Sequence, residues 1–280
     1  MAGKTLKSVA FQGELGAFSH IAAKKLVGHK SSFVPCATFQ EVFEALRTRA
    51  ATHGVIPIEN TLHGSVHENY DHLLDYEIPI SGETSIRIAH QLIAPPGTRF
   101  RDIRRAFSHP VALNQCRRFF EKNAQIEAVP FYDTAGSAKM LQEKRPAGAA
   151  AIASESAAAI YDGIIVKKNI EDHRQNFTRF VLLTKQTGEL VRLRTAWKTS
   201  LVFSTRNLPG ALFKAMACFA LRDLNLTKIE SRPLRGKPWE YLFYVDLLGR
   251  TRDARVRQAL ANLAEITKFV RVLGSYQPMP

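Results

Sequence analysis

A short unit recurs five times in the first two thirds of the chain, and it constrains the fold more than any other feature. Each copy is an apolar run typical of a β-strand, a polar residue near its end, and a helix that starts there. Strands that alternate with helices predict an α/β fold. Helix starts present free N–H groups, so several together indicate an anion site between two lobes. The polar residues are Ser19, Asn60, Ser108, Thr134 and Ser154.

The stretch 175–183 closes this region and is expected to return the chain to the first lobe. Phe177, Phe180 and the apolar run 181–183 predict a buried strand. Asn176, Thr178 and Arg179 interrupt its start, and buried polar groups need partners. Two interpretations stay open. The threonine is bonded to backbone and the arginine to a surface carboxylate, or these groups contact a small anionic ligand.

Other candidate residues follow strands or begin helices. Glu59 and Asn60 end the strand 54–60, where open α/β sheets bind ligands. Either they terminate the strand, or Asn60 contacts the ligand while Glu59 orients it or transfers a proton. His109 precedes a helix predicted from Pro110 to about Phe120. Asp133 is most simply the N-cap of the next helix.

Composition and charge limit the class of protein. The three cysteines have neither metal-site nor disulfide spacing, which favours a reducing compartment. We expect a cytoplasmic protein without a membrane span, because no run of about 18 apolar residues occurs. The net charge of +14 is not gathered into a basic face, so nucleic-acid binding is not favoured. A positive field also attracts small carboxylates.

The region after a polar linker at 186–189 has a different pattern. Strands are expected at 199–204, 226–231, 241–248 and 269–273, with helices at 211–224 and 254–263. The order βαββαβ is ferredoxin-like, which by itself fixes no function.

Together these motifs make the chain similar to the monofunctional prephenate dehydratase family. The resemblance covers nearly the whole chain, and the later region resembles the family's ACT regulatory domain. It implies a two-lobed, periplasmic-binding-protein-like domain over 5–185 and an ACT domain over 196–276. In the first domain, the chain is expected to cross between the lobes near 80–95 and 165–176. The stretches that carry the resemblance are 54–60, 64–66, 108–110 with Gln115 and Cys116, 133–138, 151–154, 176–180, 210–212 and 230–233.

The resemblance implies conversion of prephenate to phenylpyruvate, water and carbon dioxide, without a metal or other cofactor. Thr178 is expected to donate a hydrogen bond to the departing hydroxyl, while Glu59, Asp133 or His109 supplies a proton. The implied catalytic residues are Thr178, Arg179, Asn60, Glu59, Ser108 and Gln115. The implied substrate-binding residues are Ser19, His109, Asp133, Thr134, Ser154, Asn176 and Phe180.

The resemblance also implies regulation by phenylalanine at a site shared across a dimer, or a dimer of dimers that forms a homotetramer. The effector site would comprise Asn207, Pro209, Gly210, Ala211, Leu212, Glu230 and Ser231. Arogenate dehydratase is the close alternative, since it shares these motifs. A binding module without catalysis is the alternative from another class, and the intact Thr178-Arg179-Phe180 argues against it.

Overall fold

The computed structural model describes residues 7–185, 196–234, 236–237 and 240–279. The chain divides into two compact units. Unit 1 is formed from the segments Met1–His72 and Thr84–Leu182, and unit 2 from Leu73–Glu83 and Leu183–Pro280. The expected linker at 186–189 lies outside the described residues. The sequence also predicts a hairpin turn at 235–238, of which Arg235 and Pro238 lie outside the described residues.

The elements follow the expected alternation of strands and helices. The strands up to residue 183 are β1 (Ser8–Gln12), β2 (Ser32–Cys36), β3 (His53–Asn60), β4 (Gly64–Ser65), β5 (Ile80–Arg87), β6 (Gln91–Ala94), β7 (Arg105–Ser108), β8 (Glu127–Pro130), β9 (Ala149–Ala153), β10 (Ile164–Lys167) and β11 (Phe177–Leu183). The helices are α1 (Phe18–Val27), α2 (Phe39–Arg47), α3 (His67–Tyr76), α4 (Pro110–Asn114), α5 (Arg117–Lys122), α6 (Thr134–Lys144) and α7 (Glu155–Ile160).

Unit 1 contains two sheets, which form its two lobes. In the first sheet the order is β2-β1-β3-β11, and β1 runs parallel to both β2 and β3. In the second sheet the order is β10-β6-β9-β7-β8, with β7 parallel to β8 and β9. Strand β6 runs antiparallel to β9 and β10. The predicted two-lobed α/β class is confirmed.

Helices cover both faces of the second sheet, and β9 shows why. Its residues are small and wholly apolar, so each face of the strand packs into a separate core. Ala149, Ala151 and Ala153 pack with α6 and α7, whereas Ala150 and Ile152 pack with Leu113 and Phe119. A continuous apolar run of this kind is typical of a strand that is buried on both sides.

The helix predicted from Pro110 to about Phe120 is instead two short helices, α4 and α5, so that prediction is wrong. Asp172 lies at the break. Its backbone N–H donates to Gln115 O (2.7 Å), and its carboxylate accepts from Arg117 N and Arg118 N (both 3.0 Å). A distant carboxylate therefore caps a new helix start, which local sequence cannot reveal.

Unit 2 has the predicted βαββαβ order. Its elements are β12 (Lys198–Ser204), α8 (Ala211–Ala220), β13 (Leu226–Pro233), β14 (Tyr241–Leu248), α9 (Ala254–Ile266), β15 (Phe269–Tyr276) and the short β16 (Pro278–Met279). The sheet order is β13-β14-β12-β15, with antiparallel neighbours throughout. The apolar core lies between this sheet and the two helices.

The segment Leu73–Glu83 belongs to unit 2, although the expected boundaries of 5–185 and 196–276 place it in the first domain. Gly274 of β15 pairs with Ile80 of β5. A Cβ atom at Gly274 would collide with the backbone carbonyl of Ile80. Tyr276 also donates to Glu83 Oε2 (3.1 Å).

Candidate active site

A cavity of about 630 Å³ opens within unit 1. Its wall is formed mainly by ends of strands and starts of helices, as the recurring unit predicts. The residues that line it are Gln12, Phe18, Ser19, Ala37, Thr38, Phe39, Pro57, Asn60, His63, Val66, Glu68, Ile88, His90, His109, Val111, Ala112, Gln115, Asp133, Thr134, Thr178 and Phe180. Within this described wall there is no lysine or arginine.

Strand β11 presents alternate residues to opposite sides, as a strand must. Thr178 and Phe180 line the cavity and are buried. Arg179 lies outside the cavity wall, where its Nη2 is 3.4 Å from Glu59 Oε2. Phe177 is 40 % exposed, so the expectation that it is buried is wrong. The structure therefore places Arg179 and Glu59 beside each other but brings neither to the cavity.

Asn60 is a hydrogen-bonding centre at the end of β3. Its Oδ1 accepts from the backbone N–H groups of Leu62 (2.9 Å) and His63 (3.0 Å), which fixes the orientation of the amide. Its Nδ2 donates to Asn176 Oδ1 (2.8 Å) and Thr178 Oγ1 (2.9 Å). Asn176 is fully buried behind the cavity wall and supports Asn60 from there.

The Thr178 hydroxyl is an acceptor in this contact. Because its oxygen accepts from Asn60, its own proton remains available as a donor. The residue lines the cavity and is only 8 % exposed. Thr178 can therefore donate a hydrogen bond to an oxygen atom of a bound ligand.

The other lobe contributes helix starts and titratable groups. His109 is the N-cap of α4, and its Nδ1 accepts from Val111 N (3.2 Å). Asp133 is the N-cap of α6, with Oδ1 accepting from Gly136 N (2.7 Å). Burial raises the pKa of Asp133 above its ordinary value. Burial lowers the pKa of His90, whose Nε2 is 2.8 Å from Gln115 Oε1.

Two of the five strand-end residues do not reach the cavity wall. Ser108 is fully buried and donates to Ile152 O (2.6 Å). Ser154 donates to Gly16 O (2.6 Å) and caps α7 by accepting from Ala157 N (3.0 Å). Both hydroxyls are engaged in holding backbone, whereas Ser19, Asn60 and Thr134 line the cavity.

Several cavity residues were absent from the sequence-based set, notably Gln12, Phe18, His63, Glu68 and His90. Phe18 adjoins the predicted Ser19, and Gln12 ends β1, so their positions were inferable from the strand-end rule. His90 stands between two apolar strands, where no local pattern distinguishes a site residue from a core residue. Among the described residues, no group of three or more His, Cys, Asp or Glu side chains could hold a metal ion.

The expected effector residues lie on two elements of unit 2. Asn207, Pro209 and Gly210 belong to the loop between β12 and α8, and Gly210 is the N-cap of α8 with a φ of 75°. Glu230 and Ser231 lie on β13, the edge strand, where burial alternates along the chain. Glu230 is accordingly half-buried, with Lys228 Nζ at 3.7 Å, and Ser231 is exposed.

A two-lobed α/β unit with a cavity lined by helix starts and amides is typical of proteins that bind a small molecule, and a βαββαβ unit follows it in the same chain. A family model described as prephenate dehydratase matches residues 9–188. The chain belongs to the prephenate dehydratase family, which comprises carbon–oxygen lyases.

Three comparisons show the range of similar proteins. An arogenate dehydratase/prephenate dehydratase 2, chloroplastic, of Arabidopsis thaliana is 45 % identical over 278 residues, which cover 96 % of this chain and 72 % of the plant protein. The structure of a prephenate dehydratase from Arthrobacter aurescens in complex with L-Phe is 32 % identical, with a TM-score of 0.86 over 96 % of this chain and 90 % of that one. GqqA, described as a novel type of quorum quenching acylase, is 31 % identical, with a TM-score of 0.88 over 98 % and 99 % of the two chains.

Proposed function

We propose that this protein converts prephenate to phenylpyruvate, carbon dioxide and water, a step of phenylalanine biosynthesis. The bond from the ring to its carboxylate breaks, and its electron pair enters the ring. The bond from the opposite ring carbon to its hydroxyl breaks in turn, and the leaving oxygen takes up one proton to become water. The ring becomes aromatic, which drives the reaction without a redox partner.

The contact between Asn60 and Thr178 is the observation that carries this proposal. It leaves the proton of a buried hydroxyl in the cavity wall available for donation, and the leaving oxygen of prephenate needs a donor. A hydroxyl group is a poor acid, so Thr178 stabilises the departing oxygen by a hydrogen bond rather than by full proton transfer. His109 and Asp133 line the same cavity and are the candidate proton donors, whereas Glu59 lies outside the wall. The raised pKa of Asp133 suits an acid.

The first experiment measures turnover of prephenate by the purified protein and by Thr178→Val. Loss of one transition-state donor lowers kcat by roughly 100–1000-fold. Thr48→Val is the matched control, because Thr48 is exposed at the end of α2 and its hydroxyl bonds only to helix carbonyls. A kcat for Thr178→Val within about threefold of the parent, far below that loss, would remove Thr178 from the mechanism.

Arogenate is the competing substrate, and the Arabidopsis relative carries both activities in its name. Arogenate has an ammonium group where prephenate has a keto oxygen, and Glu68 and Asp133 are the acidic residues of the described wall. Their presence is the observation that favours arogenate. Side-by-side kcat/KM values for the two substrates decide between them, and a larger value for arogenate would reverse the assignment.

Acyl hydrolysis is the second candidate, because GqqA is described as an acylase. A serine or threonine nucleophile needs an adjacent base. In the described cavity wall, the hydroxyls of Thr38 and Thr178 accept from backbone or amide N–H groups. The hydroxyls of Ser108 and Ser154, outside the wall, donate to backbone carbonyls rather than to histidine. This geometry favours the lyase, and release of a free acid from an N-acyl substrate would contradict it.

We further propose that unit 2 is an ACT regulatory domain that binds phenylalanine at the loop 207–212 with Glu230 and Ser231. The relative from Arthrobacter aurescens, described in complex with L-Phe, supports an amino-acid effector. Gly210 begins α8 with no side chain in the way, so a carboxylate can approach the free N–H groups of the first turn.

The same proposal includes a cytoplasmic location and a dimer or a homotetramer. Within the described part of the chain, no helix is long and apolar enough to cross a membrane. The edge strand β13 leaves Ile229 49 % exposed, which suits pairing with a second copy. Light scattering with and without phenylalanine measures the assembly, and a monomer under both conditions would contradict it.

A further inference from the structure

His90 and Gln115 form a buried contact in the wall of the candidate active site. Gln115 is the C-cap of α4, and His90 immediately precedes β6. The ring atom Nε2 of His90 is 2.8 Å from Oε1 of Gln115. Both residues line the cavity, and His90 is 2 % exposed.

The backbone of each partner is fixed to the same segment, residues 170–172. His90 O accepts from Ile170 N (2.9 Å), and Gln115 O accepts from Asp172 N (2.7 Å). The N–H of His90 donates to Glu171 Oε2 (2.9 Å), and Glu171 is paired with Arg87 (2.5 Å). Phe18 meets the His90 ring edge-on, with centroids 5.7 Å apart. These contacts fix the backbone positions from which the two side chains project, and Phe18 packs against the His90 ring.

The surroundings of the ring decide which nitrogen carries the proton. Nδ1 is buried without a hydrogen-bond partner in the described structure. An unpaired N–H group in such a place is costly, so the neutral ring keeps its proton on Nε2 and leaves Nδ1 bare. Burial lowers the pKa of His90, which keeps the ring neutral at ordinary pH. His90 Nε2–H therefore donates to Gln115 Oε1.

This donation determines what Gln115 offers to a ligand. With its oxygen occupied by His90, the amide of Gln115 is left with its NH₂ group for the cavity. The described wall has no lysine or arginine, so oxygen atoms of an anionic substrate depend on neutral donors of this kind. We propose that His90 is a positioning residue that holds the Gln115 amide with its NH₂ group toward a carboxylate or carbonyl oxygen of the substrate. This inference rests on the proposed function.

The test is a double-mutant cycle on prephenate turnover, after the parent has been shown to turn over. Loss of one oriented neutral donor weakens binding by about 3–10-fold, so KM should rise by that factor in Gln115→Ala and in His90→Phe, with kcat changed less. His90→Gln, which retains a donor, should restore KM toward the parent value. In the Gln115→Ala background, His90→Phe should have no further effect.

Additive losses in the cycle, or an unchanged KM in His90→Phe, would overturn the inference. A parent that turns over neither prephenate nor arogenate would instead overturn the proposed function. A second measurement does not depend on activity or on folding of the variants. Long-range ¹H–¹⁵N correlation spectra of the parent should show His90 neutral with its proton on Nε2, and a proton on Nδ1 would contradict the proposal.

Discussion

Acidification should weaken unit 1 through His20, a buried histidine that holds the loop between β1 and α1. Its ring stacks on Phe11, with centroids 5.1 Å apart, and its Nδ1 accepts from Gly16 N (2.9 Å). The carbonyl of the same Gly16 accepts from Ser154 of the second lobe (2.6 Å). Protonation of Nδ1 would replace the acceptor by a donor that faces another N–H group. The loop and the Ser154 contact depend on the neutral ring.

The magnitude follows from the pKa of the folded state. Burial, with a smaller effect of Lys24, lowers the pKa of His20 from 6.5 to about 4. The unfolded chain therefore binds the proton more readily, so the contribution to stability is fully present above pH 6.5 and is lost as pH falls toward 4. Between pH 7 and pH 4.5 the loss from this one group is roughly 2–3 kcal/mol.

His53 behaves in the same way and doubles the loss of folding stability on acidification. Burial, with a smaller effect of Lys7, lowers its pKa from 6.5 to about 4 as well. The two histidines together should remove roughly 5 kcal/mol of stability between pH 7 and pH 4.5, a large part of the 5–15 kcal/mol typical of a domain.

Urea unfolding followed by far-ultraviolet circular dichroism measures this dependence. Both tryptophans belong to the later part of the chain, at positions 197 and 239, so their fluorescence does not report on unit 1. His20→Gln should lower stability at pH 7 but remove about 2–3 kcal/mol of the loss between pH 7 and pH 4.5, the contribution of this one histidine. His29→Gln, at an exposed turn after α1, is the control. If the free energy of unfolding of His20→Gln falls with pH as steeply as that of the parent, the reasoning is refuted.

Three further predictions follow from particular contacts. Gly16→Ala should lower the free energy of unfolding of unit 1 by about 3 kcal/mol or more, because the new Cβ would lie 2.7 Å from Ala157 Cα. Gly28 also has a positive φ but faces open space, so Gly28→Ala, the control, should lower it by only about 1–2 kcal/mol. Equal urea midpoints for the two variants would contradict this prediction. Gly210→Val should abolish phenylalanine binding in calorimetry, while prephenate turnover without phenylalanine persists. If phenylalanine inhibits only by competing with prephenate, and inhibits the variant equally well, the effector site does not lie in unit 2. Turnover should survive exhaustive EDTA treatment, and loss that zinc or magnesium restores would argue for a metal.

The elements with strong local patterns were predictable from the sequence. Strand β9 follows from its continuous apolar run, and the βαββαβ order of unit 2 from apolar periodicity and turn residues; both signals act over a few residues. The caps Thr38, Asp133 and Ser154 were predictable for the same reason, and each accepts from a backbone N–H group of the helix that it begins.

The composition of the cavity wall was predictable only in part. The strand-end rule predicts Ser19, Asn60 and Thr134 correctly. It does not predict which hydroxyls instead donate to backbone carbonyls, as those of Ser108 and Ser154 do. These partners lie 44 and 138 residues away along the chain. The break at Gln115 depends on Asp172, which is equally invisible to local pattern.

Arg179 follows Thr178 in the chain but lies outside the cavity wall. It pairs with Glu59 of β3, and the neighbouring residues of the same two strands, Thr178 and Asn60, face the cavity and pair with each other. The ion pair on one side and the amide–hydroxyl contact on the other fix the same register between β3 and β11. A slip of one residue would exchange the faces of the strand and turn Thr178 away from the cavity. We therefore propose a scaffolding role for Arg179 and Glu59.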